Sequence, residues 1–121
     1  MIALVLDRDA VAAGSFLTGT LQWTGAGRPA RRLFAVLEWR TDGEANVARG
    51  IGRGVQIPIV PGQREGNFPL RLLVPYEGPV SYEGTLLSIR WFLRVRVDQR
   101  GVDDQVEMEV KVVPRGMSSR A

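Results

Sequence analysis

The sequence predicts an all-β sandwich of about seven or eight mostly antiparallel strands, on three observations. Apolar and polar residues alternate with period two in segment after segment. Glycine and proline, 14 and 7 of 121 residues, cluster in the turns that punctuate those segments. No stretch carries a run of helical periodicity.

Taken in order, Ile2 to Leu6 form a short first candidate. Leu17, Gly19, Leu21 and Trp23 then alternate with Phe16, Thr18, Thr20 and Gln22. Leu33, Ala35, Leu37 and Trp39 alternate with Arg32, Phe34, Val36, Glu38 and Arg40. Residues 55–60 are a further short candidate, which Pro58 pushes towards a sheet edge because proline has no N–H for a ladder. Phe68, Leu70, Leu72 and Val74 repeat the pattern.

Residues 85–98 give the longest alternation. Leu87, Ile89, Trp91, Leu93, Val95 and Val97 share one face, with Ser88, Arg90, Arg94, Arg96 and Asp98 on the other. Val106, Met108, Val110 and Val112 follow against Glu107, Glu109 and Lys111. If these last two strands are antiparallel neighbours, their apolar faces must point the same way. Matching them pairs Val97 with Val106, Val95 with Met108, Leu93 with Val110 and Trp91 with Val112. That register sets Arg96 opposite Glu107, Arg94 opposite Glu109 and Phe92 opposite Lys111. The outward face is then a charge ladder, and partners are expected at a loop or an edge.

Composition narrows the function. Cysteine and histidine are both absent, which excludes disulfides, thiolate metal sites, cysteine nucleophiles and histidine acid–base chemistry in this chain. Neither a cofactor nor a metal is expected. Sixteen basic residues, all arginine but Lys111, stand against 13 acidic ones. A net +3 spread along the chain is a poor sign of nucleic-acid binding. No apolar run approaches a membrane span and none reads as a signal peptide, so a cytoplasmic location is expected.

The run FPLRLLVP at 68–75, the loop closing in SYEG at 81–84 and the strand SIRWFLRVRVD at 88–98 resemble the amino-terminal domain of arrestin-like proteins. Gly14 followed by LTGTL at 17–21 is similar to the same family's second-strand opening, and the resemblance spans most of residues 2–113. It implies an immunoglobulin-like sandwich of the kind shared by sporulation-control proteins and a retromer subunit, acting as a bacterial adaptor that binds other proteins without doing chemistry. Family members pair two sandwiches, whereas one fits here, and the lysine-rich phosphate sensor of receptor arrestins has no counterpart. Residues 1–113 are accordingly expected to form a single sandwich domain and residues 114–121 a flexible tail.

Several residue groups are candidates for chemistry. Asp7 and Asp9 flank Arg8 as in a metal-binding DxD triplet, but no nucleotide-binding domain accompanies them. Asp98, Asp103 and Asp104 share one loop and offer oxygens to calcium without EF-hand spacing. Arg49 and Arg53 in the RGIGRG run at 49–54 suggest an anion-binding backbone nest, or a strand broken by glycines. Arg28, Arg31 and Arg32 lie near Trp23 and Trp39, yet both tryptophans fall on apolar faces and read as core. Tyr76, Glu77, Tyr82 and Glu83 share one loop, where tyrosine gives amphipathic contact area at low entropy cost.

The reading is a non-enzymatic protein-interaction module, with Tyr76, Glu77, Tyr82 and Glu83 as partner-binding residues and homo-oligomer formation through sheet edges as a variant. The competing reading is a carbohydrate- or anion-binding sandwich using Arg49 and Arg53 of the 49–54 loop.

Overall fold

The structure, a computed structural model, describes residues 1–25, 29–43, 49–60, 62–76, 79–83, 87–99 and 103–114, with the side chains of all but 42, 43, 49, 51–53 and 87. Strands account for every regular element among them: β1 (Ile2–Leu6), β2 (Ala10–Ala12), β3 (Phe16–Thr24), β4 (Ala30–Gly43), β5 (Arg49–Ile57), β6 (Glu65–Leu73), β7 (Tyr82–Glu83), β8 (Leu87–Gln99) and β9 (Asp104–Val113). No helix of these residues is long and apolar enough to cross a membrane.

One sheet runs β1-β3-β6 and the other β2-β9-β8-β4-β5, with β7 beside β8. Neighbours pair antiparallel except β2 and β9, which run parallel. The alternation explains the packing directly. Leu17, Leu21 and Trp23 of β3 and Phe68, Leu70 and Leu72 of β6 face Leu33, Ala35 and Leu37 of β4 and Trp91, Leu93, Val95 and Val97 of β8 across one buried core. Burying such side chains stabilises by about 1.5–3 kcal/mol each, before the entropy of ordering them is set against it. Trp39, at the same parity, is only half-buried.

Gly19 shows why the small sheet packs as it does. A Cβ there would lie 2.5 Å from the Val5 carbonyl oxygen and 3.1 Å from Leu6, so only glycine lets β1 pass so close.

Three features differ from the sequence expectation. Strands β2 and β7 span three and two residues, too short to show any period. The segment expected at 55–60 is instead β5, which ends at Ile57, just before Pro58, and forms a sheet edge. The RGIGRG run therefore lies in a strand and not in a loop. Its backbone pairs with β4, with one register shift between Arg53 and Ile51.

The third difference is the register of β8 and β9. The strands are antiparallel neighbours with apolar faces together, but the pairs are Trp91 with Val110, Leu93 with Met108 and Val95 with Val106. Arg94 lies opposite Glu107, Phe92 opposite Glu109 and Arg96 opposite Gln105, two residues from the expected pairing. Matching faces determines a register only to within two residues. What decides between the alternatives is outside the hairpin strands: Arg40 of β4 grips Glu107 in a bidentate pair at 2.6 and 3.0 Å, and Asp103 before β9 takes Arg96 at 2.5 Å. The cation over Phe92 is likewise Arg40, 4.3 Å from the ring, and not Lys111.

That outer face buries a carboxylate. Glu38 is 3% exposed on the polar side of β4, with Arg40 at 3.4 Å and Arg94 at 3.4 Å. The hydrogen bond to Glu107 holds the Arg40 guanidinium above the usual arginine pKa. The bond from Arg96 holds Asp103 below the usual carboxylate range.

Candidate functional site

The segment carrying the two tyrosines is pinned at Val74, Pro79 and Ser81. Gly14, at φ +83°, donates its N–H to the Val74 carbonyl at 2.9 Å, and the Val74 N–H returns a bond to Ser15. A Cβ on Gly14 would meet the Tyr76 ring at 3.5 Å. Further on, the Trp91 indole N–H donates to the Pro79 carbonyl at 2.7 Å. Val80 packs on the core.

Ser81 then does two things for β9. Its N–H donates to the Val112 carbonyl, and its Oγ accepts from the Val112 N–H, both at 2.8 Å. These bonds replace the ladder to β8, which ends at the Trp91–Val110 pair. Beyond that point β9 pairs with β2, while Tyr82 and Glu83 take up places beside Ile89 and Ser88 of β8. The sheet divides, and the division leaves a cleft of about 410 Å³.

Ser81, Tyr82, Glu83, Ile89, Arg90, Glu109 and Lys111 line this cleft. Tyr82 is 55% exposed. Arg90 and Glu109 approach only to 3.9 Å, at the limit of an ion pair, in solvent where such pairs contribute little. Glu83 and Lys111 have no ion partner among the described residues. The cleft thus presents a phenol, and an ammonium and a carboxylate without ion partners among the described residues, beside the apolar Ile89. It suits polar and amphipathic contact.

Of the residues expected from sequence, Tyr82 and Glu83 line the cleft and Tyr76 does not. Glu77 lies outside the described residues, as do the side chains of Arg49 and Arg53, whose backbone runs in β5 at the far edge of the same sheet. Ser81, Arg90, Glu109 and Lys111 were legible only as loop or ladder residues. Their convergence follows from the division of the sheet, which no local pattern announces.

The three carboxylates expected around the 98–104 turn each meet a cation. Asp98 meets Arg32 at 3.5 Å and Arg96 at 3.1 Å, Asp103 meets Arg96, and Asp104 meets the Met1 amino group at 2.5 Å. Asp7 accepts from the Thr18 hydroxyl at 2.7 Å. Among the described residues no three acidic side chains gather as a metal site would require.

The crystal structure of Spo0M, a sporulation control protein from Bacillus subtilis, superimposes on this chain with a TM-score of 0.73 at 18% sequence identity, over 92% of this chain. The fold is arrestin-like. The chain spans 48% of the length of Spo0M, so the arrestin-like fold here corresponds to about half of that protein. No family model matches the chain, and no curated protein matches it.

Proposed function

We propose that the chain is a non-catalytic protein-interaction module of adaptor type, which holds a segment of a partner protein in the cleft beside β7. The observation that supports this is the division of β8 from β9 at Val110, which brings Tyr82, Glu83 and Lys111 to one cleft, the two charges without an ion partner among the described residues. Tyrosine beside opposite unpaired charges is the composition of a contact surface, where the partner supplies the missing counter-charges. Self-association through β5 or β1, the free edges at one side of each sheet, is a variant of the same module. A cytoplasmic setting belongs to this reading.

The absence of histidine and cysteine in the chain supports the non-catalytic part. The anion-binding alternative at Arg49 and Arg53 is less favoured, since that segment runs as strand β5 paired with β4 and not as a loop.

Copurification from the native host tests the proposal. The wild-type chain is expected to retain a defined partner that the Tyr82→Ala, Lys111→Glu double variant loses while its thermal melt stays unchanged. Identical partners for both chains would remove the cleft from the account.

A further inference from the structure

The register of β8 and β9 has a consequence on the outer face of the large sheet, far from β7. Gln56, Phe34, Arg96 and Gln105 form one row across four strands, and Gly54, Val36, Arg94 and Glu107 form the next. Between the rows lies a notch of about 290 Å³, lined by Phe34, Val36, Arg94, Arg96 and Gln105. At the β5 end, a Cβ on Gly54 would meet, among the described residues, only Val36, at 3.7 Å.

Among the described residues no carboxylate lines this notch, and Glu107, which ends the second row, is turned to Arg40, whereas Glu83 and Glu109 line the cleft beside β7 and Glu65 lines the hollow at the end of the small sheet. Had Arg96 faced Glu107 and Arg94 faced Glu109, the guanidiniums would be neutralised where they stand. Instead Gln105 faces Arg96, Arg40 has taken Glu107, and the acidic partners of the two arginines sit elsewhere: Glu38 beneath Arg94, Asp98 and Asp103 on the loop side of Arg96. Arg94 meets Glu38 through Nη1, and Arg96 uses Nε and Nη2. A guanidinium has five N–H donors, so each keeps some to offer. Phe34 and Val36 are half-buried and form an apolar floor beside these donors.

We propose that this notch binds a carboxylate carried on an apolar group. The planar anion meets Arg94 and Arg96, which match its geometry, the Gln105 amide donates a further bond, and the apolar group lies on Phe34 and Val36. A free organic acid and the terminal carboxylate of a peptide ending in an apolar residue share this chemistry.

The test is an NMR titration of the labelled chain that follows backbone amides and arginine Nε–H groups. The probes are 3-phenylpropionate, its neutral amide, and acetyl-Gly-Phe as acid and as amide. Saturable shifts at Arg94, Arg96 and Gln105 are expected with the two acids and not with the two amides. Arg96→Gln should weaken binding roughly tenfold, as loss of a charged hydrogen bond does. Gln105→Glu, an exposed and nearly isosteric change, should weaken it at least as much by placing a carboxylate opposite Arg96, and Arg31→Gln should leave it unchanged. Tighter binding of the peptide acid than of phenylpropionate assigns the site to chain termini; the reverse assigns it to free acids. Equal binding of acid and amide, undiminished binding to a folded Gln105→Glu chain, or shifts confined to other residues would overturn the proposal.

Discussion

Arg96 stands opposite Gln105, and the acid it binds, Asp103, precedes β9 instead of lying across from it. The hairpin is thereby tied through its loop, while Arg40 ties the same hairpin to β4 through Glu107. Charges on three strands and a loop together select a register that apolar matching leaves open.

This bond gives the acid limb of stability a defined contributor. The pKa of Asp103 is lowered in the folded chain, chiefly by the hydrogen bond from Arg96. Its contribution is therefore present above the unfolded carboxylate value, about 3.9, and is lost as pH falls through the lower folded value. Urea melts of wild type and Asp103→Asn should differ by a constant amount from about pH 5 to 7 and converge in stronger acid. A gap that widens in acid would contradict the sign.

Replacing Glu38 should be costly although it lies on the polar face. The carboxylate is buried between Arg40 and Arg94, and Glu38→Gln leaves both guanidiniums with one partner fewer. A loss of about 1–3 kcal/mol is expected from chemical denaturation. A change within about 0.5 kcal/mol, as for an ordinary surface site, would show that the pair is solvated.

The alternation of apolar residues made the strands and their buried faces legible: Leu70, Leu93 and Val95 lie where period two puts them. Two things were hidden. Strand pairs of two or three residues, as in β7 and β2, hold their places through tertiary bonds such as that of Ser81 to Val112, which carries no sequence period. Pairings that depend on a third strand, such as Arg40 to Glu107 across 67 positions, are invisible in a comparison of two. Two of the seven cleft residues, Tyr82 and Glu83, were legible as site residues. Tyrosines in a loop announce contact area, but the lining from Arg90, Glu109 and Lys111 exists only because β9 turns away from β8.

Gly19→Ala should destabilise by about 1–3 kcal/mol, because the new methyl group meets the Val5 carbonyl and backbone must move to admit it. The thermal melt measures this directly. A neutral result would mean that β1 is loosely held against β3.

Ser81→Ala removes the acceptor of the Val112 N–H, on a residue 1% exposed. A buried donor left unpaired costs about 1–3 kcal/mol. Hydrogen exchange at the Val112 amide should accelerate in this variant and recover in Ser81→Thr, which restores a hydroxyl. Unchanged protection in Ser81→Ala would show that β9 does not depend on this bond where it leaves β8.

Photo-crosslinking in the native host tests the central claim, that the cleft beside β7 is where a partner is held. A benzoylphenylalanine at position 82 points from the cleft rim, and one at position 22 stands on the outer face of the small sheet. A discrete cross-linked species is expected from position 82 that position 22 does not give. The same species from both positions, or from position 22 alone, would contradict the claim.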